Sequence, residues 1–242
     1  MEDEFAEVAA MAARATFAVF HDDPASALYH AAGMTPEETW RAVTEQVAVA
    51  AADAAVEAIR GYNAAPQDIS RWHWLIFKTW FPEQAGRVRR GDEQGQYGVV
   101  WGSRQAPELL TVVSCKGRNV QARLRRAFAG LQHAIAEREV AHREGRRRRL
   151  REATLPAAAF YAKLLSTHPF FDGNGRMAYV ALQYALIRLG ATGVALPDHD
   201  EQQWALGQGL RPGGRHHGYD ALAELFERTI RASSEGADRI GT

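Results

Sequence analysis

A single cysteine, Cys115, is all the thiol chemistry in this 242-residue chain, which excludes an internal disulfide and any need for an oxidising compartment. Lysine is almost missing as well. Only Lys78, Lys116 and Lys163 occur, and every other basic residue is arginine. Neither charge is in excess, because 29 basic side chains meet 29 acidic ones, so no global field draws the chain to nucleic acid. No apolar run approaches the length of a membrane span, so no membrane partner is expected. The opening Met-Glu-Asp-Glu lacks the basic start and apolar stretch of a signal peptide. These absences lead to a cytoplasmic protein, with delivery into a host cell as the alternative location. With 46% hydrophobic residues, the chain can bury a sizeable core in one compact domain with an appendage.

What is present reads mostly as helix. Thr35-Pro36-Glu37-Glu38 offers an N-cap, a proline at the first helical position and acidic residues in the first turn, opening a helix to about Ile59 that Gly61 closes. A second helix starts near Pro66, with Ile69, Trp72, Leu75, Ile76 and Trp80 at helical spacing, and Pro82 and Gly86 end it. Tyr97 to Trp101 and Leu109 to Val113 are β-prone and predict one hairpin around a turn at 102–107. Further helices are expected from about Asn119 to Ala141, Leu150 to Thr167, Gly175 to Gly190 and Tyr219 to Ile230. The fold class is mostly α with one small β-hairpin.

Chemistry concentrates in one loop, residues 168–176, His-Pro-Phe-Phe-Asp-Gly-Asn-Gly-Arg, between two strongly helical segments. Gly173 and Gly175 let backbone approach a ligand, and the amides that open the next helix make an anion site. Arg176 can point a forked donor at a phosphate oxygen. Asn174 adds an uncharged donor where charge builds up in a transition state. Asp172 is a hard oxygen ligand suited to Mg²⁺, which can hold phosphate oxygens in turn. His168 is the loop's only group whose ordinary pKa suits proton abstraction near neutrality. Together they suggest phosphoryl or nucleotidyl transfer to a hydroxyl.

The string resembles the Fic family motif, His-Pro-Phe-x-Asp/Glu-Gly-Asn-Gly-Arg-x-x-Arg, and matches its specified positions from His168 to Arg176. Upstream, His73, Phe77, Phe81-Pro82 and Ala85-Gly86-Arg87-Val88-Arg89 are similar to that family's His…Phe…Tyr-Pro…Ala-Gly-Lys-x-Arg stretch. The hairpin stands where the family carries its flap. The resemblance implies a Fic-like helical bundle over 66–190, with an N-terminal helical extension at 1–65 and a C-terminal helical segment at 191–242. It implies His168 as general base, Asp172 as the Mg²⁺ ligand, and Gly173, Asn174, Gly175 and Arg176 as the nucleotide-binding residues. The implied reaction moves AMP from ATP to a Ser, Thr or Tyr of a target protein. Another diphosphate-containing donor, phosphate transfer, or a non-catalytic Fic-fold binding protein are the alternatives.

One departure stands out. The family's final Arg, which meets the γ-phosphate, is Tyr179 here. Either reading of the third phosphate is weakened, or Tyr179 simply packs on neighbouring helices. The family's inhibitory pattern, Ser/Thr-x-x-x-Glu-Gly/Asn, is not matched by Glu144-Gly145 or Glu235-Gly236, whose residues four before are Val140 and Arg231. Restraint would then fall to a separate inhibitory protein.

The remaining features have plainer readings. Phe170 is expected as a buried wedge, and Trp72, Trp74 and Trp80 as core or groove walls. Arg146 to Arg149 reads as a solvated face rather than a nucleic-acid patch. Pro197-Asp198-His199-Asp200 reads as a loop or helix cap, His216-His217 has no ligand spacing, and Cys115 ends the hairpin.

Overall fold

The computed structural model describes residues 36–80, 82–94, 96–103, 106–146, 149–194, 199–210 and 219–240. Seven helices and one hairpin follow in the order α1 (Pro36–Ile59), α2 (Pro66–Phe77), β1 (Gln96–Ser103), β2 (Ala106–Val113), α3 (Gly117–Arg143), α4 (Arg151–Thr167), α5 (Asn174–Arg188), α6 (His199–Leu210) and α7 (Asp220–Ile240). The expected mostly helical class is therefore the observed one.

The centre of the bundle is α5. Met177, Ala178, Tyr179, Val180, Ala181, Leu182, Ala185 and Leu186 are all fully buried, so this helix is enclosed on every side rather than amphipathic. It packs against α1, α2 and α4, while α3 and α7 pack on α4 from outside. Helix α1 contributes Val43, Val47, Ala50 and Ala54, and small alanines allow its close approach to α5. Two hydrogen bonds tie the α1–α2 link to this centre. The Tyr184 hydroxyl donates to the Tyr62 carbonyl at 2.6 Å and accepts from the Ala64 amide at 2.8 Å. On the surface between α1 and α2, Arg71 pairs with Asp53 and Glu57.

The hairpin is a two-stranded antiparallel sheet with register Gln96↔Val113 through Ser103↔Ala106. Its strands are longer than the β-prone segments suggest, and residues 104 and 105 connect them. Pro107 lies within β2, opposite Gly102, which a two-stranded sheet tolerates because both strands are edges. β1 runs against α6.

Three helix boundaries differ from expectation. Helix α2 stops at Phe77, and Trp80 stays buried from the turn that follows. Helix α6 begins at His199, in the segment read as a loop or cap, and its polar residues and two glycines hid it from periodicity. Helix α7 runs ten residues past Ile230, and an Arg231–Glu227 pair and Ser233, donating to the Thr229 carbonyl, support the turn that carries it beyond that point. Thr35, Phe81, Arg147, Arg148, Pro197, Asp198, His216 and His217 lie outside the described residues.

Candidate active site

The turn between α4 and the buried α5, which pack on each other, holds the motif. Helix α4 ends because Pro169 cannot continue it and disfavours helical geometry in the residue before it. His168 caps it in the left-handed conformation, φ 49° and ψ 61°, the one non-glycine residue with positive φ among those described. Its amide still bonds back to Leu164 and Leu165. Such a conformation costs a side-chain-bearing residue about 1–2 kcal/mol and directs the imidazole off the helix axis.

Beyond the cap the loop is held by groups buried beneath it. Phe170 is fully buried, as expected of a wedge. The Asn174 amide makes two reciprocal bonds to it: the Phe170 N–H donates to Asn174 Oδ1, and Asn174 Nδ2 donates to the Phe170 carbonyl, each at 2.9 Å. Asn174 is thus first a staple of the loop, with one amide proton left for a ligand. Gly173 adopts φ +71°, and a Cβ there would lie 2.1 Å from the Phe77 ring. No L-residue with a side chain fits.

His73 supports the same turn from α2. It is 5% exposed, stacks on Phe170 at a ring separation of 3.8 Å and contacts Phe77 at 4.6 Å. The Gly86 amide donates to its Nδ1 at 2.9 Å, which assigns the neutral tautomer with the proton on Nε2, and that proton goes to the Asp172 carbonyl at 3.0 Å. Gly86, at φ +74°, would drive a Cβ into the Ser70 carbonyl.

The cradle is the start of α5. The first intrahelical bond runs from the Met177 amide to the Gly173 carbonyl, and Gly173, at the N-cap, brings no side chain to this end of the helix. Nothing lies within 4 Å of where a Gly175 Cβ would stand, so the cradle is open on that side. Arg176 is almost fully buried in the first turn. Asp172 is exposed at the rim, and the Gly173 amide donates to its Oδ1 at 2.6 Å. Among the described residues no three His, Cys, Asp or Glu side chains gather into a metal cage. A lone exposed carboxylate beside an anion cradle fits Mg²⁺, which is bound by one or two carboxylates together with substrate phosphates.

Other expectations meet the structure differently. Tyr179 is fully buried and its hydroxyl donates to the Val194 carbonyl at 3.4 Å, so it packs within the bundle and brings no charge to its position. Trp72 is core, but Trp74 is 44% exposed and walls no interior. Arg146 is exposed and pairs with Glu144. Arg89, named only as part of a similar string, is a buried cation beneath the site, and all its acceptors but Ser114 Oγ are backbone carbonyls, which no sequence motif displays.

Burial, seconded by the Arg89 cation, pushes His168 down to about 4 against the opposing pull of Asp172. Burial does the same to His73, also to about 4. Both imidazoles are therefore neutral at pH 7, and His168 can accept a proton. The sign for stability follows. Above 6.5 neither the native nor the unfolded state holds these protons, and the contribution is complete. As pH falls from 6.5 towards 4 the unfolded chain binds them first, and each histidine removes up to ~1.4 kcal/mol of stability per pH unit. Urea midpoints measured from pH 7 to 4.5 should fall accordingly. His73→Gln should be less stable at pH 7 yet show a shallower acid slope; an unchanged slope would mean that His73 is not buried neutral.

Comparison with known proteins gives the family and the fold. The sequence model of the Fic/DOC family matches residues 63–186, just over half of the chain. Among solved structures, the fold is similar to Fic-1 from C. elegans, with 19% identity and a TM-score of 0.56 over 100% of this chain and 65% of that one. It is also similar to an IbpAFic2 variant in complex with adenylylated Cdc42, with 17% identity and a TM-score of 0.53 over 93% of this chain and 63% of that one. A Fic family protein from Desulfovibrio desulfuricans resembles it at 14% identity and a TM-score of 0.55, over 98% of this chain and 67% of that one. The chain spans less than two thirds of the first two structures. No curated protein matches it. Among the described residues, no helix is long and apolar enough to cross a membrane. With its motif seated between a helix C-terminus and a helix N-terminus, and the family model covering α2 to α5 around it, this chain belongs to the Fic/DOC family.

Proposed function

We propose that the protein transfers a nucleoside monophosphate, AMP from ATP, to a Ser, Thr or Tyr hydroxyl of a target protein. The observation that carries this reading is the placing of a neutral imidazole, His168, and the N-terminus of α5, open beside Gly175, on either side of a five-residue turn. One group accepts a proton and the other binds phosphate, and little else is needed for in-line nucleotidyl transfer.

In the proposed reaction the target hydroxyl oxygen attacks the α-phosphorus, the bond from that phosphorus to the bridging oxygen breaks, and pyrophosphate leaves. His168 takes the hydroxyl proton. The Gly175 amide and the remaining Asn174 proton receive charge on the α-phosphate, joined by the Gly173 amide once Asp172 turns from it to the metal, and Arg176 holds the β-phosphate. Asp172 would hold Mg²⁺, which supplies positive charge to the phosphate oxygens. Adenylylated Cdc42 in the IbpAFic2 complex supports a protein as the acceptor.

The hairpin is assigned the acceptor segment, held by backbone pairing to a strand edge, which tolerates many sequences. Pro placed at Val100 or Val112 should weaken protein modification more than nucleotide affinity, and less at whichever of the two faces away from the target. Equal loss of both would make the hairpin merely structural.

A donor linked through a diphosphate is the second reading, favoured by the buried, uncharged Tyr179 where a cation for a third phosphate would stand. Incubation with each α-labelled nucleoside triphosphate and with labelled diphosphate-linked donors, in Mg²⁺ and a candidate host lysate, decides between them. Label moving from ATP to protein supports the first reading, and label from a diphosphate-linked donor alone supports the second. Nucleotide binding with no transfer from any donor would leave a binding protein.

A further inference from the structure

Beneath the site lies a buried guanidinium whose partners come from three separate places in the chain. Arg89 is 2% exposed. Its Nε donates to the His168 carbonyl at 2.6 Å and its Nη1 to the Glu93 carbonyl at 2.5 Å. Its Nη2 reaches Ser114 Oγ at 3.0 Å, the Cys115 carbonyl at 3.1 Å and the Thr167 carbonyl at 3.0 Å. The Arg89 backbone amide adds a bond to the Pro169 carbonyl at 2.8 Å.

The positions of these acceptors matter more than their number. Glu93 lies three residues before β1, and Ser114 and Cys115 directly follow β2, so they are the two feet of the hairpin. Thr167 and His168 end α4, and their carbonyls are among those that a helix C-terminus leaves without intrahelical partners. A cation there also meets the negative end of the helix dipole. The five acceptors are neutral oxygens reached from all three guanidinium nitrogens, and a fork with its protons on three atoms serves them in a way that a lysine ammonium, with three protons on one atom, cannot.

We propose that Arg89 is a positioning residue that fastens the left-handed His168 turn to the feet of the hairpin, so that the base and the acceptor-holding strands keep one fixed relation. This rests on the reading of His168 as base and of the hairpin as the acceptor's edge. A group that touches neither donor nor acceptor then controls the approach of hydroxyl to imidazole. A displacement of about 1 Å in such a reacting pair costs on the order of 10²-fold in rate. Donor binding at the start of α5 depends on the other side of the turn, so donor KM should stay close to parental.

The test uses Arg89→Lys, which keeps charge without the fork, and Arg89→Met, which keeps bulk without either. Amide hydrogen exchange, measured with no substrate present, should rise by about tenfold or more at residues 113–118 and 167–170 in both variants, while exchange across α5 stays within about twofold. In the transfer assay kcat should fall roughly 10²-fold in Arg89→Met with donor KM within about threefold, and Arg89→Lys should lie between that variant and the parent. The exchange arm stands even if the parent transfers no label, a result that would sink the functional reading and not the link. Unchanged exchange at the hairpin feet, or a uniform rise that includes α5, overturns the proposal. So does loss of folding in both variants, or a parental kcat in Arg89→Met.

Discussion

Replacement of His168 by alanine is expected to lower transfer by ~10²–10⁴ while leaving nucleotide affinity near its parental value. The proton acceptor goes, but the backbone that Arg89 holds remains, because the His168 carbonyl is the acceptor of that bond and not the ring. Alanine is less at ease than histidine in a left-handed conformation, so a small fall in thermal midpoint is expected. His168→Gly separates the two effects, since glycine adopts φ 49° without steric cost and should be equally inactive. Single-turnover transfer of labelled nucleotide, beside calorimetric midpoints, checks the pair. A parental rate in either variant would remove His168 from the chemistry.

Gly173→Ala should be the most damaging single methyl addition in the site. Its φ of +71° belongs to the region that side chains avoid, and its Cβ would sit 2.1 Å and 2.2 Å from two atoms of the Phe77 ring. Phe77 is 1% exposed and contacts His73, so it has nowhere to move without disturbing the support of the loop. Overpacking and backbone strain together should cost roughly 2–5 kcal/mol. The turn should shift before the bundle unfolds, because α5 is anchored by its buried core. Nucleotide affinity should fall with stability, and the double variant Gly173→Ala with Phe77→Leu should recover stability in part but not the φ penalty. Urea denaturation and nucleotide titration read both. Parental values in the single variant would show that the turn is looser than its contacts indicate.

The bundle was legible where burial is one-sided or complete. Apolar spacing marked α2, the Thr35-Pro36-Glu37-Glu38 start and Gly61 marked α1, and the glycine-rich loop at 168–176 marked the break between α4 and α5. The motif loop was legible as chemistry because glycine, a carboxylate, an amide and an arginine at a helix start each carry a distinct physical meaning. Its internal construction was not. Asn174 spends its amide on the Phe170 backbone, and Arg89 spends its guanidinium on carbonyls of residues far apart in the chain, and backbone acceptors have no letter in a sequence. Tyr179 was ambiguous for a related reason. A phenol can face a ligand or a core, and only the packing around α5 places its hydroxyl on Val194. Helix α6 was hidden because glycine and glutamine weaken the periodic signal that tertiary contact with β1 and α7 replaces.

Phe171, the residue between the wedge and the carboxylate, is 55% exposed, and no hydrogen bond of the turn uses its side chain. The chain's sole cysteine, Cys115, is buried, 8% exposed. An optical reporter can therefore be installed with one change. In Phe171→Cys a maleimide dye would find a single accessible thiol, one residue from Asp172, on a side chain that the scaffold does not need. Arrival of nucleotide and departure of pyrophosphate could then be followed as separate fluorescence phases, without any label on donor or acceptor.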